Sequence, residues 1–579
     1  QRLSPVPMGE FWVSPARGQG VRVDNRVAAS AAHLAGRKWV TSESYTSPPE
    51  HSRWTQHPFT LKALGDEAFC AGVNKYVFHT YAHQPYPKLK PGFTMGRWGM
   101  HNHAGNTWWD GPVEAWFDYI TRCQYLLQEG RFHADILAYL GEDVPTRVGR
   151  RAEFTPPIPR GYDFDACDFR ALLEARVEDG EIVLPSGMRY RVLLLPRQDR
   201  MRLAVAERIA ELVGAGALVV SPSRPEGSPS LAEMGGQDRR VRQVVAETWP
   251  EGASGTAALQ GRVLVAGDDL GALLGELGLG PDFSYRPAED VDVLFIHRIL
   301  GDHDVYFLSS QQDRGVTIDA VFRQPAGRGV SLWDPATGRR ASPRGVRAQG
   351  TEGVRVTLDL DPYGSVFVVF TDRDVETEPS LEVSGETPVE GPWELHFAEG
   401  GGAPAEPLTL GELTDWTRHA DFGVRHFSGT ATYTTSLRVD EEDLAGRSHV
   451  LLDLGEVREM AEIRVNGKHA GVLWKPPFRT DITPLLKPGE NRLEIRVTNL
   501  WVNRLIGDEH HPDEMTWTEI PGAALPRKWP EWMEKGEPRP DSDRVAWTTR
   551  GRIWSRDDPL LPSGLMGPVR LLTAEEGRP

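Results

Sequence analysis

Apolar residues near the start of the chain gather in three short runs, "PVPMGEFW" (5–12), "KWVTSESYT" (38–46) and "KYVFHTYAHQ" (75–84). Each carries a polar group after its first apolar residues, Glu10, Glu43 and His79, and these repeat at intervals of 33 and 36 residues. Between them the period changes. In "DNRVAASAAHLAG" the residues Val27, Ala28, Ala31, Ala32 and Ala35 recur at three- and four-residue steps after an acidic start and before a glycine, which predicts a helix over 24–36. "HPFTLKALGDEAFCAGVN" (57–74) does the same with Leu61, Leu64, Ala68 and Ala71. Strand, helix and strand repeated at this spacing form the βα unit of a parallel sheet, where functional side chains collect at the strand ends.

Beyond residue 112 the pattern changes twice. Residues 113–130 carry Val113, Trp116, Phe117, Ile120, Cys123, Leu126 and Leu127 on one helical stripe, which is core packing. From 132 to 285, apolar strands alternate with helices, one of them at about 200–214, predicting a small flavodoxin-like parallel α/β domain. Its strand ends lack a phosphate-cradling glycine loop, and Cys167 in "DACDF" is not in a nucleophile elbow, so an accessory role is expected. From 286 to 373 the strands lose their helices and read as a β-sandwich. A Pro- and Glu-rich stretch, 374–392, reads as a linker, and 393–579 as a jelly-roll, galactose-binding-like domain. The expected fold class is therefore multidomain α/β plus all-β.

A length of 579 residues exceeds a single core, and 39% hydrophobic residues is ordinary for globular protein. The net charge of −17, with no basic stripe, argues against nucleic acid and anionic membrane surfaces as partners. No twenty-residue apolar run predicts a membrane span. Cys70, Cys123 and Cys167 lie in apolar stretches without metal-ligand spacing and are expected to be buried free thiols.

Candidate chemistry starts with the three strand ends, and His83 follows His79 closely. The Gly-rich segment "GRWGMHNHAGNTWWDGPVEAWFDY" (96–119) adds His101, Asn106, Trp108 and Trp109. Flat aromatic faces beside short polar groups suit a sugar ring, although core burial is the competing reading of each tryptophan. His101 and His103 lack zinc spacing.

Two sets of residues carry a family resemblance. "YTTSLRV" and "LLDLGEVREMAEIRVNGKHAGVLWKPPFRTDITPLLKPGENRLEIRVTN" resemble the sugar-binding jelly roll that accompanies many glycoside hydrolases. "PMGEFW", "TSESYTS", "HTYAHQP", "TMGRWGMHNHAGNTWW" and "TRCQYLLQEGRFHADILAYLGED" are more specifically similar to glycoside hydrolase family 106, the α-L-rhamnosidases, in the same order along the chain. The resemblance implies a catalytic (β/α)8 barrel, inversion by a carboxylic acid and a carboxylate base roughly 6.5–9.5 Å apart, a calcium ion at the site, a carbohydrate substrate, and a secreted or periplasmic location. On it Glu43 becomes the general acid, in a pocket with Trp39 and Tyr45 expected to raise its pKa. Glu10 becomes the second carboxylate, for substrate or metal. His79, His83, His101, Asn106, Trp108 and Trp109 become substrate contacts.

Only about three βα units precede the accessory domains, against the eight of a barrel. Residues 1–131 are therefore expected to be the C-terminal part of a barrel whose base lies outside this chain. Residues 132–579 are expected to fold alone, with 1–131 loosely ordered. Two alternatives stay open: a retaining, β-galactosidase-like glycosidase with carboxylates roughly 5–5.5 Å apart, and a non-catalytic carbohydrate-binding protein.

Overall fold

The computed structural model describes residues 3–576 except 14–20, 52, 97, 99–104, 143–146, 234, 250–261, 266–268, 349–352, 374, 442, 443, 445–447 and 522. The expected repeat is present: β1 (Met8–Trp12), α1 (Val21–Leu34), β2 (Thr41–Thr46), α2 (Pro58–Cys70) and β3 (Lys75–Phe78) build a parallel three-stranded sheet in the order β1-β2-β3. One face of it meets the helices. Ser42 Oγ donates to Asn25 Oδ1 of α1 at 2.7 Å, and Tyr76 OH donates to the Gly65 carbonyl of α2 at 2.6 Å. Gly9 has no side chain because a Cβ there would stand 2.8 Å from the Asp24 carbonyl oxygen. The opposite face carries Met8 and Val77, 39% and 44% exposed, with Glu10 also exposed between them.

After α3 (Val113–Gln128) the chain enters a five-stranded parallel sheet of Ile136–Tyr139, Phe164–Cys167, Val192–Leu194, Leu218–Ser221 and Arg262–Val265. Its central strands are buried throughout, because helices and loops cover both faces, and so they read as continuous apolar runs. The sandwich follows, its strands from Phe283 to Thr371 forming a four-stranded antiparallel sheet and five strands of a six-stranded one, whose edge is completed by Arg131–Phe132. All three cysteines are buried and none forms a disulfide.

Two expectations are corrected. The segment 374–392 is not all linker: Leu381–Pro388 is a strand that pairs with Arg570–Glu576 and belongs to the jelly roll. Alternating small and polar residues hid it, since a strand exposed on both faces carries no apolar signal. Residues 1–131 are not a loosely attached piece either. Asp165, fully buried on the edge strand of the α/β sheet, accepts from Ser30 of α1 at 2.8 Å and lies 3.0 Å from His33 Nδ1. Arg26 reaches Asp163 at 3.1 Å. From α2, the buried Lys62–Asp66 pair (2.6 Å) bonds Ser365 and Ser309 of the sandwich. One apolar core runs from Phe11 through the α/β sheet to Trp501 and Ala546.

Candidate functional site

Glu10 and Glu43 are register partners on β1 and β2, with Val77 next in line on β3, so both carboxylates stand on the face that the helices do not cover. The end of β2 is irregular. Phe11 pairs with Ser44 but Trp12 pairs with Thr46, leaving Tyr45 as an extra residue at φ +62°. This bulge turns the Tyr45 ring into the core against Phe11, Tyr76, Phe78 and Trp116. It also brings Thr46 round to the Glu43 side, where its Oγ1 donates to Glu43 Oε1 at 2.6 Å.

Among the described residues, Trp39 and Tyr45 do not form the apolar pocket expected around Glu43. Tyr45 is 1% exposed on the opposite side, and Trp39 is 44% exposed with Lys75 Nζ 4.3 Å from its ring centre. The half-buried His79 sits at the end of β3 with its backbone N–H donating to the Ser44 carbonyl at 3.0 Å, while His83 is exposed four residues on. Asn106 is buried and Trp109 is half-buried against Phe117. Trp108 is fully buried, donates from Nε1 to the Gln56 carbonyl at 3.1 Å and packs on Trp116. It offers no face to a sugar, so its role is in the core. His101 lies outside the described residues.

What the sequence did not disclose is a wall supplied from the far end of the chain. Between Asn499 and Ser563 the polypeptide leaves the jelly roll and lies against the loops that follow β2 and β3. Trp547–Thr548 pairs with Pro91–Gly92, and the Thr94 N–H donates to Thr549 Oγ1 at 2.9 Å. Arg550, 1% exposed, donates to the Pro49 carbonyl at 2.6 Å. Arg53 stacks 3.8 Å from the Trp554 ring centre. Phe93 packs on Trp547 and Trp529, and Trp529 remains 43% exposed. Trp501 Nε1 donates to the Gly105 carbonyl at 2.7 Å and Thr107 Oγ1 to the Asn499 carbonyl, which ties the 105–109 turn to the same arm. The density of tryptophans after residue 390 is a sequence signal that could have disclosed it.

Among the described residues, His133, Asp282 and His297 are the one group of three side chains close enough to share a metal. They lie at the junction of the α/β domain and the sandwich. His297 is held between Asp282 and Asp304, both at 2.9 Å, and Arg323 stands 3.3 Å from His133 Nε2. Burial disfavours the charged His297, but the charges and hydrogen bonds of Asp282 and Asp304 together outweigh it and raise the pKa to about 9. Burial lowers that of His133 to about 4. Two imidazoles and a guanidinium do not fit calcium, which takes six to eight oxygens.

A family model described as alpha-L-rhamnosidase matches residues 1–343, and one described as the galactose-binding domain-like domain of glycosyl hydrolase family 2 matches 416–533. A solved rhamnosidase from Novosphingobium sp. PP1Y is 33% identical with a TM-score of 0.83, over 98% of this chain and 51% of that one. A protein named putative beta-glucuronidase from Formosa agariphila is 25% identical over 98% of this chain and 65% of its own length. The chain thus spans about half to two thirds of these relatives. With the family model covering more than half of its residues, the chain belongs to the α-L-rhamnosidase family of glycoside hydrolases.

Proposed function

We propose that the chain is the C-terminal part of an inverting glycosidase that removes terminal α-L-rhamnose, with Glu43 as general acid. The observation that carries it is the pairing of Glu10 and Glu43, each the third residue of its strand, across adjacent parallel strands on a sheet face left open to solvent. In a closed barrel that face lines the interior. The exposed Met8 and Val77 fit an apolar interior whose remaining strands come from a segment outside this chain.

In this reading Glu43 protonates the leaving oxygen while His79 and the half-buried Trp109 contribute to the sugar site. Glu10 binds the sugar rather than activating water. Neighbouring parallel strands stand about 4.8 Å apart, too close for a water held between two carboxylates at the roughly 6.5–9.5 Å of an inverting pair. The base is then supplied by another strand. That same closeness favours one second reading, in which Glu10 is a nucleophile and configuration is retained.

Proton NMR of the sugar first released from an aryl α-L-rhamnoside, by protein in which the barrel is closed, decides between them. β-L-Rhamnose as the first product is the expected result; α-L-rhamnose as the first product assigns Glu10 as nucleophile, and no release of rhamnose overturns the substrate. The 579-residue chain by itself is expected to release none, with or without calcium.

A further inference from the structure

The geometry points to Trp12 as the residue that selects the sugar by the methyl group on its C5, the mark of a 6-deoxy sugar; the inference rests on the reading of the open sheet face as the substrate face. Along β1 the side chains alternate, with Gly9 and Phe11 buried on the helix side and Met8, Glu10 and Trp12 on the other. Phe11 belongs to the apolar core and Val13 packs against it, whereas Trp12 stands half-buried between them on the Glu10 side. The bulge at Tyr45 makes Thr46 the register partner of Trp12, and Thr46 Oγ1 donates to Glu43 Oε1 at 2.6 Å. Trp12 and Thr46 are the last residues of their strands. The indole therefore stands one pleat nearer than the two carboxylates to the C-terminal end of the sheet, where barrel sites lie.

A second indole completes the feature. Trp12 and Trp98 meet edge to face, with 5.5 Å between ring centres and 85° between planes, and both are half-buried. The Trp98 N–H donates to the Met95 carbonyl at 3.1 Å and the Thr94 N–H to Thr549 Oγ1 at 2.9 Å, so the C-terminal arm anchors the loop that brings Trp98 to β1. Two indoles at right angles make a corner, which encloses a small apolar group, where one flat face would support a whole sugar ring. Glu10 and Glu43 stand beside it. A carboxylate on C5 would meet like charge there, and a hydroxymethyl group would be desolvated against indole carbon. A methyl group gains from the same contact.

The test compares two aryl glycosides in the closed-barrel enzyme, the α-L-rhamnoside and the α-L-lyxoside, which is the same pyranoside without the methyl group. One apolar group in a fitted pocket is worth about 10–200-fold in kcat/KM. The unaltered enzyme should favour the rhamnoside by a factor in that range, and Trp12→Ala should lower the ratio of the two kcat/KM values by about tenfold or more. Rhamnoside cleavage with the same ratio in both proteins overturns this inference alone. No rhamnoside cleavage by the unaltered enzyme overturns the reading of the substrate, and the inference with it. Should Trp12→Ala fail to fold, a crystal structure of the unaltered closed-barrel enzyme with rhamnose decides: a C6 atom within about 4.5 Å of the Trp12 ring supports the assignment, and a greater separation overturns it.

Discussion

Arg550 donates to the backbone carbonyl of Pro49 at 2.6 Å, joining two buried points 501 residues apart. Through that bond the C-terminal arm holds the loop that follows β2, the strand bearing Glu43. Arg550→Leu should leave the Pro49 carbonyl without its donor, destabilising by about 1–3 kcal/mol, and amide exchange across residues 47–57 should accelerate. Urea denaturation and hydrogen exchange check this; unchanged exchange in that loop would mean the arm does not hold it.

Asp165 makes a second long-range tie, to His33, Ser30 and Tyr190. Burial opposes its charge, but His33, Arg26 and Ser30 together hold the carboxyl below the usual range. Asp165→Ala removes the partner of buried polar groups and should cost about 3–5 kcal/mol. Limited proteolysis should then cut within residues 1–131 before it cuts the sandwich. Simultaneous loss of both regions would instead mean they unfold as one unit.

At the junction of the α/β domain and the sandwich, the sign of a pH effect follows from His297. Its folded pKa of about 9 lies above the ordinary 6.5, so its contribution is complete below about pH 6.5 and is lost as pH rises through 9. Up to about 3 kcal/mol is at stake over that window. Melting temperature should fall between pH 7 and 9.5, and His297→Gln should flatten that limb. His133, held down to about 4 by burial, acts at the other end: its contribution is complete above about pH 6.5 and is lost as pH falls towards 4.

For the chemistry, Glu43→Gln in the closed-barrel enzyme should slow hydrolysis of unactivated rhamnosides by about 10²-fold or more. Aryl rhamnosides with good leaving groups need little protonation and should lose far less. Equal losses on the two substrates, read as kcat/KM, would count against an acid role.

Trp108 and Trp109, adjacent in sequence, should separate by experiment. Trp108→Ala empties a fully buried site and should cost about 3–5 kcal/mol. Trp109→Ala should raise KM for the rhamnoside with a change in melting temperature of only a few degrees. A kinetic defect confined to Trp108→Ala would reverse these roles.

Much of this protein was legible from local pattern. The helices of the βα repeat and the sandwich strands each write a period into about ten residues, because burial of one face requires it, while the parallel strands buried on both faces read as continuous apolar runs. Glu10, Glu43 and His79 stood out as polar groups in strand-like runs, but the structure places Glu10 and Glu43 in the middle of β1 and β2 and only His79 at a strand end. Three things were decided only by the tertiary structure. The bulge at Tyr45 depends on the register between β1 and β2, which hydrophobic alternation does not encode at a strand's last residues, and it moved Tyr45 away from Glu43 and Thr46 towards it. The burial of Trp108 depends on Trp116 and the Gln56 carbonyl, reached from other elements. The arm that clamps the loops after β2 and β3 makes its hydrogen bonds across some 400–500 residues. Periodicity reports which face of an element is buried, but what buries it is set by contacts the chain makes only once it is folded.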